Sequence, residues 1–242
     1  FNPHPGGAKS AAVAVRAYNL VIQQELGIEN LICTVAEPTI ESFNELCQAP
    51  EIGILAITGG PAVVNAAMRS GKRAICAGPG NPPVVVDESA DLPKAARDII
   101  AGASFDNNLL CIGEKQVFVV ASVFDQFMTE MDKAGALRLN APQIEALTKA
   151  AFTFKPGDGG CSKAAVNRDY LGQDAAVLAQ AAGVSAPADL ALVFGETDAD
   201  HPFVEEEQMM PMLPIVKARD FSEAVAMAKK SEHGDRHSAV IH

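Results

Sequence analysis

Cys111 stands in GASFDNNLLCIGEKQVFVV, where a helical pattern stops, a polar turn follows and a β-branched run begins. A thiol at such a junction can open onto a cleft, and its free backbone N–H can steady an oxyanion. The apolar neighbours Leu109, Leu110 and Ile112 fit a second reading, a small core residue with no chemistry. A different kind of site is written in ILAITGGPAVVNAAM, where an apolar run meets Gly59 and Gly60 and Pro61 opens a helix. Proline suits the first helical turn, glycines admit close approach, and the free N–H groups there attract phosphate. The spacing is not GxGxxG, so a plain strand–turn–helix connection fits equally, and an ordinary dinucleotide fold is not indicated. FNPHPGGAKS is a similar turn into a helix, from which His4 and Lys9 could reach a phosphate or ribose, or simply face solvent. In HPFVEEEQMMPMLPIV, adjacent glutamates precede an apolar strand-like segment. They fit a solvated edge, or a carboxylate that binds ribose hydroxyls.

These stretches need elements to hold them. Residues 8–26 have helical periodicity without internal Gly or Pro, and LICTV (31–35) is a short β-branched run. Residues 39–47 read as a helix with Thr39 as N-cap, and IGILAIT (52–58) as a buried strand. A helix is expected over 61–70 and a strand over 73–76. Strands alternating with helices of this length imply parallel βαβ units. GPGNPP (78–83) cannot be regular structure and marks a domain boundary. Beyond it, VVVD, 116–122 and 191–196 read as strands, and 91–103, 124–134, 175–182 and 221–230 as helices. KPGDGGC (155–161) reads as a loop, and 238–241 begins a further strand.

Composition narrows the classes. A net charge of −11 lacks the basic face that nucleic acid or an anionic membrane surface needs. No apolar run approaches the roughly 20 residues of a membrane helix. Cys33, Cys47, Cys76, Cys111 and Cys161 make an odd number without metal-ligand spacing, which suits a reducing compartment better than a disulfide framework. His4, His201, His233, His237 and His242 suggest no zinc site. The chain opens on FNPHPGG, with no leader-like pattern, and closes on SAVIH. Both ends read as interior points of a longer chain.

In order, FNPHPGGAKS, TGGPAVVNAAM, AGPGNPPVVVDESAD, GASFDNNLLCIGEK, HPFVEEEQMMPMLPIV and EHGDRHSAVIH resemble the aldehyde dehydrogenase superfamily. More narrowly, they resemble the CoA-acylating propionaldehyde and acetaldehyde dehydrogenases of bacterial microcompartments. The resemblance runs from the first residue to the last. It implies an α/β fold in an incomplete chain: the C-terminal part of a parallel-sheet cofactor domain, binding NAD or CoA, over 1–78, then an α/β catalytic domain over 79–242 that is incomplete at its C-terminus. It implies Cys111 as nucleophile, Gly59 and Gly60 as the turn facing the cofactor pyrophosphate, and Asn2, Pro3 and His4 as lining of the adenosine pocket. Glu207 matches the glutamate that orients the nicotinamide ribose in hydrolytic relatives. An oxyanion-hole asparagine would precede Phe1.

The implied cofactor is NAD or NADP, with CoA as cosubstrate in overlapping space. The implied partners are a short-chain aldehyde, further copies of the subunit in a dimer or tetramer, and microcompartment shell or enzyme proteins, in the cytoplasm inside such a compartment. One departure from hydrolytic members is informative: they carry a water-activating glutamate where this sequence has Ala77. Water needs a general base at neutral pH, whereas a CoA thiol supplies its own thiolate. The alternatives are a hydrolytic aldehyde dehydrogenase giving the free acid, a non-catalytic microcompartment scaffold, and a generic nucleotide-binding domain.

Overall fold

The computed structural model describes residues 1–156 and 162–242; most of the expected KPGDGGC loop, with Cys161, lies outside the described residues. The chain divides into two compact units, Phe1–Gly78 and Pro79–His242.

The first unit contains α1 (Ala8–Leu26), α2 (Ile40–Gln48), β1 (Ile54–Thr58), α3 (Pro61–Arg69) and β2 (Arg73–Ala77). Gly27, at φ +67, ends α1 in the left-handed conformation that glycine adopts without a Cβ penalty. Thr39 caps α2 as expected: its hydroxyl accepts from Ser42 N–H, and Ser42 returns a bond to the cap backbone. β1 and β2 pair in parallel from Ile54↔Arg73 to Thr58↔Ala77, with α3 as the crossover. Two expectations fail here. IGILAIT is a strand only from Ile54 and buries only Leu55, because β1 has β2 as its single ladder neighbour in this unit. LICTV is irregular: Asn19 of α1 takes both backbone groups of Ile32, donating Nδ2 to its carbonyl (2.7 Å) and accepting its N–H (3.1 Å). A side chain thus occupies positions that a strand partner would need.

The second unit is built on a six-stranded sheet. Its strands are β3 (Pro83–Val86), β4 (Gln116–Val120), β5 (Leu137–Arg138), β8 (Val193–Glu196), β9 (Met212–Ala218) and β10 (Val240–Ile241). The order is β10-β3-β4-β9-β8-β5, and every pairing is parallel. Helices α4 (Leu92–Ser104), α5 (Phe124–Lys133), α6 (Ala141–Ala151), α7 (Ala175–Ala181), α8 (Pro202–Glu205) and α9 (Phe221–Ser231) lie between the strands in sequence. The antiparallel pair β6 (Phe152–Pro156) and β7 (Ser162–Val166) stands apart, and β6 runs through the first two residues of the expected loop.

Every residue of β3 and β4 is buried, as a sheet covered on both faces requires. The two-residue period sorts them. Val84, Val86, Val117, Val119, Leu213 and Ile215 pack with α4 and α5, whereas Val85, Phe118, Val120, Val216 and Ala218 pack with Ala224 and Ala228 of α9. Helix α6 is not among the expected elements, although Asn140 and Gln143 form a capping box at its start. Its Ile144, Leu147 and Ala151 close a further core with Leu178, Phe203 and Met212.

Candidate active site

Parallel strands all begin at one edge of their sheet, so the segments entering neighbouring strands lie side by side. β10, β3, β4 and β9 are consecutive neighbours. Their entering segments carry His237, Gly80–Asn81, Cys111–Lys115 and Glu207–Gln208 respectively. Buried side chains tie these segments together. Asn81 Nδ2 donates to Val204 O (2.9 Å) and Ser231 O (2.8 Å). Gln116 Nε2 donates to Asn81 O (3.0 Å), and Gln208 Nε2 to Lys115 O (2.9 Å).

Cys111 sits on a turn between α4 and β4. After α4, Asp106, Asn107 and Asn108 all have φ of 50–58°, a left-handed run that Asp and Asn tolerate better than most residues. Asn107 Nδ2 fixes it by donating to Gly172 O (2.9 Å) and Asp174 Oδ1 (2.8 Å). A second turn, Gly113 N–H to Leu110 O (3.1 Å), places Cys111 at its corner. Cys111 is half-buried, and its apolar neighbours Leu110 and Ile112 are 37% and 60% exposed. Among the described residues the Cys111 N–H has no acceptor. Gly80 lies against this turn: a Cβ there would stand 2.7 Å from Cys111 O and 3.0 Å from His237 Cγ, so only glycine permits the approach.

Beneath these residues lies a charge that sequence reasoning missed. Lys115 is fully buried, and its ammonium donates to Asn108 O (2.6 Å) and Asn108 Oδ1 (2.7 Å). Burial pulls its pKa down to about 8, against the opposing charges of Glu207, Cys111 and Glu114. Burial likewise holds Glu207 above the usual carboxylate range, opposed by Lys115, a Gly80 N–H and His237. Glu207 is therefore not part of a solvated edge; Glu205, the first of the run, ends α8 and pairs with Lys230 (3.5 Å). The one available signal for Lys115 is a cation next to the apolar run QVFVV, four residues after the thiol.

The Lys115 pKa makes a stability prediction. An unfolded lysine titrates near 10.4, so between about pH 8 and 10.4 the unfolded chain holds a proton that the native one has lost. Stability from this group therefore rises with pH across that window, by on the order of 3 kcal/mol in full. Urea midpoints at pH 7.5 and 10, measured in a Cys111→Ser background, are expected to rise more with Lys115 present than in Lys115→Met. Equal slopes would assign the titration elsewhere.

The first unit holds its own candidate groups. Asn2 Oδ1 accepts from Ser42 Oγ (2.7 Å), and His4 Nδ1 accepts from Gly6 N–H (3.1 Å) while the ring remains exposed. A cavity of about 290 Å³ is lined by Asn2, Phe43, Leu55, Ile57, Thr58 and Val63. Thr58 ends β1, and Gly59 N–H bonds Ala77 O (3.2 Å). Gly60 is the N-cap of α3 without a side-chain cap bond, and open space lies where its Cβ would be. A cavity beside an uncapped helix start is a place where an adenosine and its phosphates could be held. Pro3 is half-buried and, as a proline, has no N–H to donate.

The fold and the thiol turn define an α/β enzyme-like domain with a cysteine at the strand-entering edge of a parallel sheet. Residues 8–241 match the aldehyde dehydrogenase family, and the chain belongs to it. It is 45% identical over its whole length to the acetaldehyde dehydrogenase (acetylating) EutE of Salmonella typhimurium (strain LT2), of which it covers 51%. It superposes with a TM-score of 0.91 at 42% identity on a propionaldehyde dehydrogenase from the Clostridium phytofermentans fucose utilisation bacterial microcompartment, covering 100% of this chain and 54% of that one. Rhodopseudomonas palustris propionaldehyde dehydrogenase with bound propionyl-CoA gives 0.92 at 39% identity, with 100% and 52% covered. The chain thus spans about half the length of the curated relatives it matches.

Proposed function

We propose that this chain carries the thiol and part of the cofactor site of a CoA-acylating aldehyde dehydrogenase acting on acetaldehyde or propionaldehyde. The observation that carries the proposal is the Cys111 turn, half-exposed with a free N–H and framed by Gly80, Lys115 and Glu207. The relatives' acylating activity supports it. Residues 1–78 serve as the C-terminal part of the cofactor domain and 79–242 as the catalytic domain.

The Cys111 thiolate attacks the aldehyde carbon, and the carbonyl oxygen becomes an alkoxide that the Cys111 N–H stabilises. When bound, NAD or NADP supplies the acceptor for the hydride that leaves this carbon. Cys111 is then left as a thioester, which the CoA thiolate attacks at the carbonyl, returning Cys111 as thiolate. Asn2, Pro3 and His4 line the adenosine pocket, Gly59 and Gly60 receive the pyrophosphate, and Glu207 holds the nicotinamide ribose. With Ala77 in place of a base, water competes poorly for the thioester. The full-length protein acts as a homo-oligomer in the cytoplasm, inside a bacterial microcompartment.

The deciding experiment mixes full-length protein, NAD and propionaldehyde, and follows reduced cofactor with and without CoA. Sustained turnover that requires CoA and yields propionyl-CoA supports the proposal. Equal turnover without CoA, with propionate as product, assigns a hydrolytic enzyme instead.

A further inference from the structure

Lys115 is costly where it stands. A buried ammonium loses its hydration, and an apolar residue of similar volume would avoid that cost. Stability therefore does not account for it, and its bonds indicate what does. Both described donations go to one residue, Asn108, at the other end of the turn that has Cys111 at its corner. Asn108 is itself in the left-handed region at φ +58, and its Nδ2 donates to Glu114 O (3.0 Å), so the neck of the turn is closed twice. The backbone of Lys115 reaches in two further directions. Its N–H donates to Pro82 O (3.0 Å), at the entry to β3, and its carbonyl accepts from Gln208 Nε2 (2.9 Å), next to Glu207. One residue thus joins the thiol turn, the Gly80 segment and the Glu207 segment, and its ammonium faces the charges of both Glu207 and Cys111.

We infer that Lys115 is a positioning residue for the thiol chemistry: it locks the neck of the Cys111 turn to the segments bearing Gly80 and Glu207, and sets a buried cation beside the reacting sulfur. The inference rests on Cys111 being the nucleophile, but its test uses neither aldehyde, CoA nor cofactor. Full-length protein is treated with limiting iodoacetamide at pH 7, and the ratio of Cys111 to Cys33 alkylation is read by peptide mass spectrometry. Cys33 is exposed and serves as internal standard.

Loss of a nearby cation disfavours the thiolate, so Lys115→Gln and Lys115→Met are expected to lower the ratio about tenfold. A residue that only packs the neck predicts the opposite sign, because an opened turn exposes the sulfur and raises the ratio. A ratio unchanged or raised in folded Lys115→Gln overturns the inference. Glu207→Gln, which leaves the neck bonds intact, removes an anion facing the same cation and is expected to raise the ratio. If neither lysine variant folds, that variant decides, and an unchanged ratio there overturns the inference as well. Failure of the proposed activity would show separately, as absent CoA-dependent cofactor reduction in a parent protein whose Cys111 still alkylates faster than Cys33.

Discussion

Serine at Cys111 is expected to leave a folded protein whose CoA-dependent aldehyde oxidation is lower by about a thousandfold or more, the scale on which loss of a covalent nucleophile acts. The loss is chemical. A hydroxyl is not ionised near neutral pH, and among the described residues no histidine is hydrogen-bonded to the Cys111 side chain. The fold should tolerate the change because the Cys111 turn is held by backbone and by other side chains. Gly113 N–H closes it onto Leu110 O, Lys115 closes it onto Asn108, and the contact from Gly80 is to the Cys111 carbonyl. The thiol is only half-buried, so unfolding midpoints should move by less than about 1 kcal/mol. Initial rates of cofactor reduction and a urea titration on the same preparation check both halves. A serine variant that keeps a tenth of parental activity would remove Cys111 from the mechanism.

The residues that could be found from sequence are those whose signals are local. Thr39 with Ser42, the proline and glycines around α3, and the polar FDNN turn before Cys111 follow rules spanning a few positions, and the structure forms each of them. The helix over 8–26 ends where Gly27 supplies the left-handed residue. LICTV failed because β-branched composition says nothing about whether a partner strand is present, and Asn19 took its backbone groups instead. The convergence at the strand-entering edge was not legible, since it depends on the order β10-β3-β4-β9, which joins segments more than a hundred residues apart. The role of Lys115 was not legible for a related reason, although a cation stands next to QVFVV. A lysine next to a strand is ordinarily a surface residue, and only the left-handed placement of Asn108 turns two oxygens toward its ammonium.

The two units also place their candidate groups at opposite ends of their strands. Gly59 and Gly60 follow the carboxyl end of β1, where ligands usually bind in parallel α/β sheets. Cys111, Glu207, Gly80 and His237 precede their strands instead. A phosphate prefers the first arrangement because a helix start follows the strand directly, with its N–H groups free. A nucleophile gains from the second: short turns entering the buried central strands are anchored at their far end by ladder bonds, so small side-chain changes at the edge need not disturb the core. Substitutions at the thiol edge should accordingly alter rates more than stability.

Under the proposed function, Ala77→Glu is expected to shift the full-length protein from thiolysis towards hydrolysis. The resemblance places a water-activating glutamate of hydrolytic members at this position, and a positioned general base contributes about 10²- to 10⁴-fold to such a step. Locally the position can accept the change. Ala77 ends β2, is half-buried, and spends its carbonyl on Gly59 N–H (3.2 Å), a bond that does not involve its side chain. A carboxylate there keeps contact with water and avoids the full cost of burial. In the full-length variant, propionaldehyde oxidation without CoA should rise by about a hundredfold or more, with propionate as product, while the share of propionyl-CoA at saturating CoA falls. The proposed first step uses Cys111 in either case, so the rate of acyl-enzyme formation in a single turnover should change little. Unchanged hydrolysis in a variant that still acylates Cys111 would mean that Ala77 does not mark the choice between water and CoA, and that exclusion of water by other residues decides it.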